Sequence, residues 1–243
     1  MRPVRQEIMW QAVLDAIVAV PGEGPFDVLD VGGGTGGDAV RLAALGHRVT
    51  VVDPSPDALA SLGRRAAEAG VQDHVVGVLA DTSDLGEHVA AASTDLAVLH
   101  GVLEYVDDPA EALAAVAGVL RPSGVVSVVV AGRPAAVLAR AITGDFDGAA
   151  TIHGSTAPTW DLRSQGPRRY VESELAAELE GAGFALSSVA GLRTFADLVP
   201  SAVVDTEPGA RERLYALERL VRSSSEFSGI SGGLHTIARL DLT

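Results

Sequence analysis

The 243-residue sequence predicts an open, doubly wound α/β sheet of seven strands. Three observations predict it. Valine-rich apolar runs alternate with helical spacings through residue 130, the pattern of a parallel sheet covered on both faces. The first run, Val28–Leu29–Asp30–Val31, passes directly into the glycine loop Gly32–Gly33–Gly34–Thr35–Gly36–Gly37. The second, Val49–Thr50–Val51–Val52, ends on a carboxylate, Asp53. A strand, a glycine loop, a helix and a second strand tipped with an acid form a nucleoside-binding βαβ unit. The glycines let backbone approach a ligand with no Cβ in the way, and the acid accepts hydrogen bonds from ribose hydroxyls.

The elements follow in order. Residues 4–20 have helical spacing, with Ile8, Val13, Leu14 and Ile17 near one face, and Pro21–Gly22 stops them. Strands are predicted near 26–31, 48–53, 74–80, 95–100, 125–130, 184–195 and 234–242. Helices are predicted over 36–45, 56–69, 109–120, about 134–142, 172–182 and 207–222. Ser55 is placed to cap the second of these, with Pro56 in its first turn. Arg121–Pro122–Ser123–Gly124 reads as a turn before the fifth strand. Residues 143–167, rich in Gly, Thr, Ser, Asp and Pro, read as one long loop, a feature that is usually functional or mobile. One domain accounts for the chain: an N-terminal helix or lid over 1–22, a core over 23–130, a cap insertion over 131–170, and the rest of the sheet over 171–243.

Composition narrows the function classes. The mean hydropathy of +0.26 comes from Ala, Val and Leu spread along the chain, and no apolar run is long enough for a membrane span. Glu7 and Asp15 interrupt the N-terminal segment, so no secretory leader is expected and a cytoplasmic location is the simplest reading. There are no cysteines, which excludes disulfides and thiolate chemistry, and the six histidines are scattered without metal-site spacing. The formal net charge is −14 and all 18 basic residues are arginines, which argues against a generally basic nucleic-acid surface.

Two cofactors fit the glycine loop. Gly32, Gly34 and Gly37 satisfy G-x-G-x-x-G, with Asp53 at the distance expected for NAD. The same stretch, with Asp30 just before the glycines, reads as the loop of S-adenosylmethionine (SAM) enzymes, where that acid orients the loop or reaches the methionine amino group through water. A dinucleotide enzyme needs a separate substrate domain, and little chain is left for one, so SAM is favoured. Leu120–Arg121–Pro122–Ser123–Gly124 also resembles the L-[KR]-P-G-G hinge of class I methyltransferases, a resemblance that implies a Rossmann-like sheet with its last strand antiparallel.

The resemblance extends further. Val4–Arg5–Gln6–Glu7–Ile8–Met9–Trp10–Gln11, Leu99–His100–Gly101–Val102–Leu103–Glu104–Tyr105–Val106–Asp107–Asp108–Pro109 and Gly191–Leu192–Arg193–Thr194–Phe195 resemble the tRNA 5-carboxymethoxyuridine methyltransferase family. That family methylates the carboxylate of a modified wobble uridine. The resemblance implies that Arg5 binds the SAM carboxylate, that Gly32 and Gly33 line the methionine moiety beside Gly34, that Asp53 holds the ribose and that His100 sits against the cofactor. Asp81, at the end of the third strand, is the adenine-amine acceptor by analogy with the wider superfamily. One departure matters. The family's long insertion carries lysines suited to tRNA phosphates, whereas this chain reads Ile152–His153–Gly154–Ser155–Thr156–Ala157–Pro158–Thr159, with only Arg163, Arg168 and Arg169 nearby.

The expected function is therefore transfer of a methyl group from SAM to a carboxylate or other oxygen of a small polar acceptor. The tRNA carboxyl methyltransferase and a non-catalytic SAM-binding protein are the alternatives. An ionised carboxylate needs no general base, only alignment and a cationic holder. Arg193, Tyr170 and Arg169 are the candidate holders; an ion pair explains Arg193 equally well, and packing is the stronger explanation of Tyr170. His100 ends a central strand, where ligands bind in such sheets, and becomes a candidate base if the acceptor is a hydroxyl or amine. Glu104 and Tyr105 are read either as lining the methyl site or as a helix-start acid and a packed ring. Met9 and Trp10 are read as core residues of the lid helix, and Arg64 and Arg65 as a solvated face.

Overall fold

Apolar burial decides which strands lie at the centre. In a computed structural model describing residues 3–241, β1 (Asp27–Val31), β4 (Thr94–His100) and β5 (Leu120–Ala131) are buried on both faces, which is why their sequences are nearly continuous Val and Leu. β2 (Arg48–Asp53) flanks them, and β3 (Val75–Leu79) forms an edge that leaves Val76 and Leu79 exposed. The strand order is β3-β2-β1-β4-β5-β7-β6. β7 (Gly233–Leu240) runs antiparallel to β5 and to β6 (Phe184–Leu192), and the other pairings are parallel. The antiparallel last strand is thus present, one position in from the edge. The chain winds outward from β1 through β2 to β3, then returns to β4 and β5. That reversal opens a crevice at the carboxyl ends of β1 and β4.

Helices cover both faces. On one, α1 (Val4–Ala19), α2 (Gly37–Ala44) and α3 (Pro56–Glu68) bury Trp10, Val13, Leu42 and Leu62 against Val28, Val49 and Leu96. On the other, α4 (Leu85–His88), α5 (Pro109–Val119) and α9 (Glu172–Gly181) bury Leu85, Leu113, Val116 and Leu175 against Leu29, Leu99 and Val128. Ser55 caps α3 by accepting from the Ala58 N–H at 3.2 Å, as predicted. Asp108 caps α5 in the same way through Ala110 and Glu111. At the opposite end of the sheet from the crevice, Arg121 pairs with Asp27 at 2.9 Å and Asp95 at 2.6 Å, clamping the starts of β1 and β4.

Four sequence expectations are corrected. Residues 143–167 are not one loop: they hold α7 (Phe146–Gly154) and the short α8 (Leu162–Gln165), following α6 (Arg133–Ile142). Two glycines and a threonine hide α7 from a propensity reading, but Asp145 caps it through the Gly148 N–H at 3.0 Å. Buried Arg133 then ties it down, donating to the Ser155 carbonyl and to Glu174. The sixth strand stops at Leu192 and not at 195, because Arg193 turns left-handed at φ +58°. The predicted 207–222 helix begins at Ala210 as α11 (Ala210–Val221), preceded by a separate α10 (Ser201–Thr206) and followed by α12 (Ser225–Ser228). The predicted turn at 121–124 is absorbed into β5 as a register irregularity, with Ser123 at φ +63°. β7 ends at Leu240, and the predicted end at Leu242 lies outside the described residues.

The turn after β6 is held by one buried side chain. Glu218, on α11, accepts from the backbone N–H groups of Thr194, Phe195 and Ala196 at 3.0, 2.8 and 2.7 Å. No other group bonds those three donors among the hydrogen bonds of the described residues. Replacing Glu218 with Ala strands them in a buried site and should cost about 3 kcal/mol in urea unfolding. An unchanged midpoint would show that the loop does not need the carboxylate.

Candidate cofactor and acceptor site

The glycine loop is built by exclusion. Gly32 sits at φ +64°, and a Cβ there would meet the Val102 side chain at 2.8 Å. A Cβ on Gly33 would overlap the carboxylate of Asp30, which lies buried beneath the loop. The loop is then tied to β2. Asp53 Oδ2 accepts from the Gly34 N–H at 2.8 Å, and its Oδ1 accepts from the Ser55 N–H at 2.9 Å. Each oxygen keeps lone-pair capacity for a further donor. The Gly34 N–H is therefore spent on the protein, while Gly32 and Gly33 line open space.

That space has two lobes meeting at Gly32. One, of about 500 Å³, is lined by Asp53, Asp81, Gly101, Val102 and Tyr105. Asp81 accepts from the Thr82 N–H at 2.6 Å through Oδ1, which fixes the carboxylate at the end of β3. The other, of about 490 Å³, is lined by Arg5, Met9, Asp30, Gly33, Arg41 and His100. Arg65, read from sequence as solvated, is also on its rim. Trp10 lies in the core as expected, with the Arg41 guanidinium 3.6 Å above its ring.

Burial and like charge set the electrostatics of the second lobe. Desolvation, then Asp38 and Asp53, push the Asp30 carboxyl up to about 7. Burial, with His235 adding to it, holds His100 well below the usual histidine range. His100 therefore stays neutral, and its Nε2 lies 2.8 Å from Ser127 Oγ. Arg5 lines the lobe while pairing with Asp197 at 2.8 Å through Nε and donating to the Ala196 carbonyl through Nη2. Its remaining donors are left for an anion.

The acceptor candidates separate. Tyr170 is corrected: it is fully buried, its hydroxyl donates to the Leu103 carbonyl at 3.4 Å, and burial beside Glu178 raises it far above the usual tyrosine range. It belongs to the core. Arg168 is likewise internal, donating to the carbonyls of Ala157, Leu103 and Val106. Arg193 and Arg169 instead line a third cavity of about 150 Å³ with Asp197, Leu138, Leu198 and Ile230. Glu104 is buried, with its Oε1 accepting from the Ala131 N–H at 2.8 Å, and burial raises it above the usual carboxylate range. Tyr105 is exposed on the first lobe. Asp197, Ser127 and His235 were not singled out in the sequence, since they carry no local motif and meet the site only through the fold.

The residues present fit an adenosyl amino acid: a ribose acceptor and an adenine-side carboxylate in one lobe, a glycine cradle, an acid and an arginine in the other. Comparison with known proteins decides the family. Residues 29–128 match the family model described as a methyltransferase domain. A ubiquinone biosynthesis O-methyltransferase of Xanthomonas campestris pv. campestris is 32% identical over 178 residues, covering 73% of this chain and 69% of that one. The chain belongs to the SAM-dependent class I methyltransferases.

The tRNA 5-carboxymethoxyuridine methyltransferase of Escherichia coli K12 is 36% identical over 145 residues, 59% of this chain and 54% of that protein. The match thus spans about half the length of that curated relative. Among solved structures, the [4+2]-cyclase SpnF aligns with a TM-score of 0.66 at 20% identity, covering 96% of this chain and 81% of that one, a likeness of fold alone. SAM is the cofactor that membership of this family brings. Asp53 would hold its ribose, Asp81 its adenine, and Gly32, Gly33, Asp30 and Arg5 its methionine end. No helix among the described residues is long and apolar enough to cross a membrane.

Two measurements check the cofactor residues. Asp53→Ala removes the ribose acceptor and the tie on the glycine loop, and should weaken SAM about 100-fold by titration calorimetry. Unchanged affinity would remove Asp53 from the site. Asp30 predicts a pH signature of stability. Its folded-state pKa lies above the unfolded value, so the folded protein keeps a proton that the unfolded chain loses between pH ~4 and ~7. Stability should fall as pH rises through that window, by on the order of 4 kcal/mol, and level off above it. Asp30→Asn should lack this fall relative to the parent protein in urea titrations at pH 5 and 8.

Proposed function

We propose that this methyltransferase moves a methyl group onto a carboxylate or other oxygen of a small polar acceptor, with Arg193 and Arg169 holding the acceptor's anionic group. The observation that carries this reading is Arg193 itself. It adopts φ +58°, a conformation costly for a non-glycine residue. Its Nε is buried without a hydrogen bond, 3.8 Å from Asp197 Oδ2. A Cβ on Gly232 would collide with Asp197, and one on Gly233 would come within 3.2 Å of Arg193 Nη2. The fold thus presses backbone against this guanidinium and keeps it beside a cavity that also presents Arg169. Paired guanidinium groups are suited to a carboxylate.

Bound SAM supplies an electrophilic methyl group on a sulfonium, which departs as a neutral thioether when the new C–O bond forms. The protein's own contribution is alignment and exclusion of water. Arg193 and Arg169 orient the acceptor anion, while α1 covers the methionine lobe with Met9 and Gln6. A partly buried, neutral His100 is a weak base at pH 7, which supports an acceptor oxygen already ionised on arrival. The salt bridge of Arg5 with Asp197 joins the cofactor lobe to the acceptor cavity. The tRNA reading is supported by the E. coli relative but loses Arg168, which is internal, and faces a net charge of −14.

The test is transfer of labelled methyl from SAM to a panel of small carboxylic acids and hydroxy acids, with bulk tRNA as a parallel acceptor. Base-labile label on a carboxylic acid identifies a methyl ester. Arg193→Ala should raise the KM for that acceptor at least about tenfold and leave SAM affinity unchanged. Label on tRNA alone would replace this reading with the tRNA enzyme. SAM binding without transfer to any acceptor would favour the non-catalytic alternative.

A further inference from the structure

Beneath the cofactor lobe, three side chains from three adjacent strands form a closed hydrogen-bonded row. His100 on β4, Val129 on β5 and His235 on β7 are register partners, so their side chains share a face of the sheet, and Ser127 lies on that face two residues before Val129. Helix α1 covers the same face, where Val4, Ile8 and Ala12 pack on Val129. Ser127 Oγ lies 2.8 Å from His100 Nε2 and 2.9 Å from His235 Nε2. Ser127 is wholly inaccessible and His235 is 2% exposed. No solvent substitutes for either contact.

A serine hydroxyl carries one proton. Between two imidazole Nε2 atoms it donates to one and accepts from the other, so one ring must be protonated at Nε2 and its partner must be bare there. Both rings are neutral: burial holds His100 well below the ordinary range and His235 down to about 3. Two arrangements remain, and each fixes what His100 presents to the cofactor through Nδ1. An anion bound in the lobe selects between them, because only the arrangement with the proton on His100 Nδ1 turns a donor toward it. The sequence of donors is then His235 Nε2–H to Ser127 Oγ, and Ser127 Oγ–H to His100 Nε2.

We infer that Ser127 and His235 are positioning residues that lock His100 as its Nδ1–H tautomer, making it a hydrogen-bond donor for the cofactor's carboxylate. The lobe that His100 lines also holds Arg5, so the two donors converge on one anion, while Asp30 in the same lobe serves the cationic amino group. The opposite tautomer would turn a lone pair toward the carboxylate and repel it. The inference rests on SAM being the cofactor but not on the identity of the acceptor.

The test reads the tautomers directly and then the ligand. In the full-length protein bound to S-adenosylhomocysteine, long-range nitrogen–proton NMR should show His100 protonated at Nδ1 and His235 at Nε2, with neither ring titrating between pH 5.5 and 8. Finding His100 protonated at Nε2, or either ring charged, overturns the relay. Ser127→Ala should weaken S-adenosylhomocysteine about tenfold and leave 5′-methylthioadenosine, which lacks the amino-acid end, unchanged. Ser127→Thr keeps the hydroxyl and His235→Gln keeps a donor toward it, so each should retain most of the parent affinity. Equal weakening of the two ligands would mark Ser127 as merely structural and overturn the inference. Failure of the parent protein to bind S-adenosylhomocysteine would instead remove the cofactor reading on which the inference rests.

Discussion

The contact on which the site depends is the carboxylate of Asp53 accepting from the Gly34 and Ser55 N–H groups. It joins the loop leaving β1 to the turn leaving β2, so the glycine cradle and the start of α3 move as one piece. The acid proposed to receive a ribose is therefore also the acid that shapes the loop beneath it. A ligand hydroxyl there would meet a carboxylate whose orientation is already fixed, with the ordering cost met on folding and not on binding. Asp30 has the complementary role: it lies under Gly33, buried and protonated more readily than a surface acid, as a reserve of negative charge for a cationic ligand.

A second centre of organisation lies at the far strands. β6 turns left-handed at Arg193, the turn is held by three donations to Glu218, and Arg193 and Asp197 face each other across glycines that cannot carry a side chain. From this turn Asp197 reaches Arg5 at the start of α1. At the other end of α1, Arg239 donates to the Ala19 carbonyl and Arg222 pairs with Asp15. The N-terminal helix is thus fastened at both ends by the C-terminal part of the chain. It roofs the second lobe and the His100–Ser127–His235 row together. That lobe, the cavity beside Arg193 and the roof are coupled through arginines, which fits a chain that has no lysine. A guanidinium bonds two partners at fixed angles, whereas an ammonium would hold the same junctions as a point charge.

Much of this was legible in sequence, and the reasons are specific. The βαβ unit was readable because its requirements are local: a buried strand, glycines at positions where a Cβ would strike Val102 or Asp30, and an acid at the next strand end. The caps at Ser55 and Asp108 are also local, since an N-cap bonds residues two or three along. Segment 143–167 was misread because α7 has poor intrinsic propensity and is held by Arg133 and Glu174 from elsewhere in the chain. Tyr170 was a candidate holder for which packing was the stronger explanation, and Arg168 was one of three arginines near the insertion; polar groups in an irregular segment usually face solvent. The fold instead turned both inward to satisfy carbonyls at 103 and 106.

The sequence by itself determined the alternation of strands and helices, the glycine loop and the acid at the next strand end, because these rest on periodicity and on sterics within a few residues. Tertiary structure alone decided what each arginine faces. Arg193 and Arg168 are alike in sequence, one beside a strand and one in a loop. Only the packing of α6, α9 and α11 places the first at a cavity and the second among backbone carbonyls. The same holds for the two histidines, 135 residues apart in the chain and linked through one hydroxyl. Their link through Ser127 follows from strand register, and register across β4, β5 and β7 is set by the whole sheet.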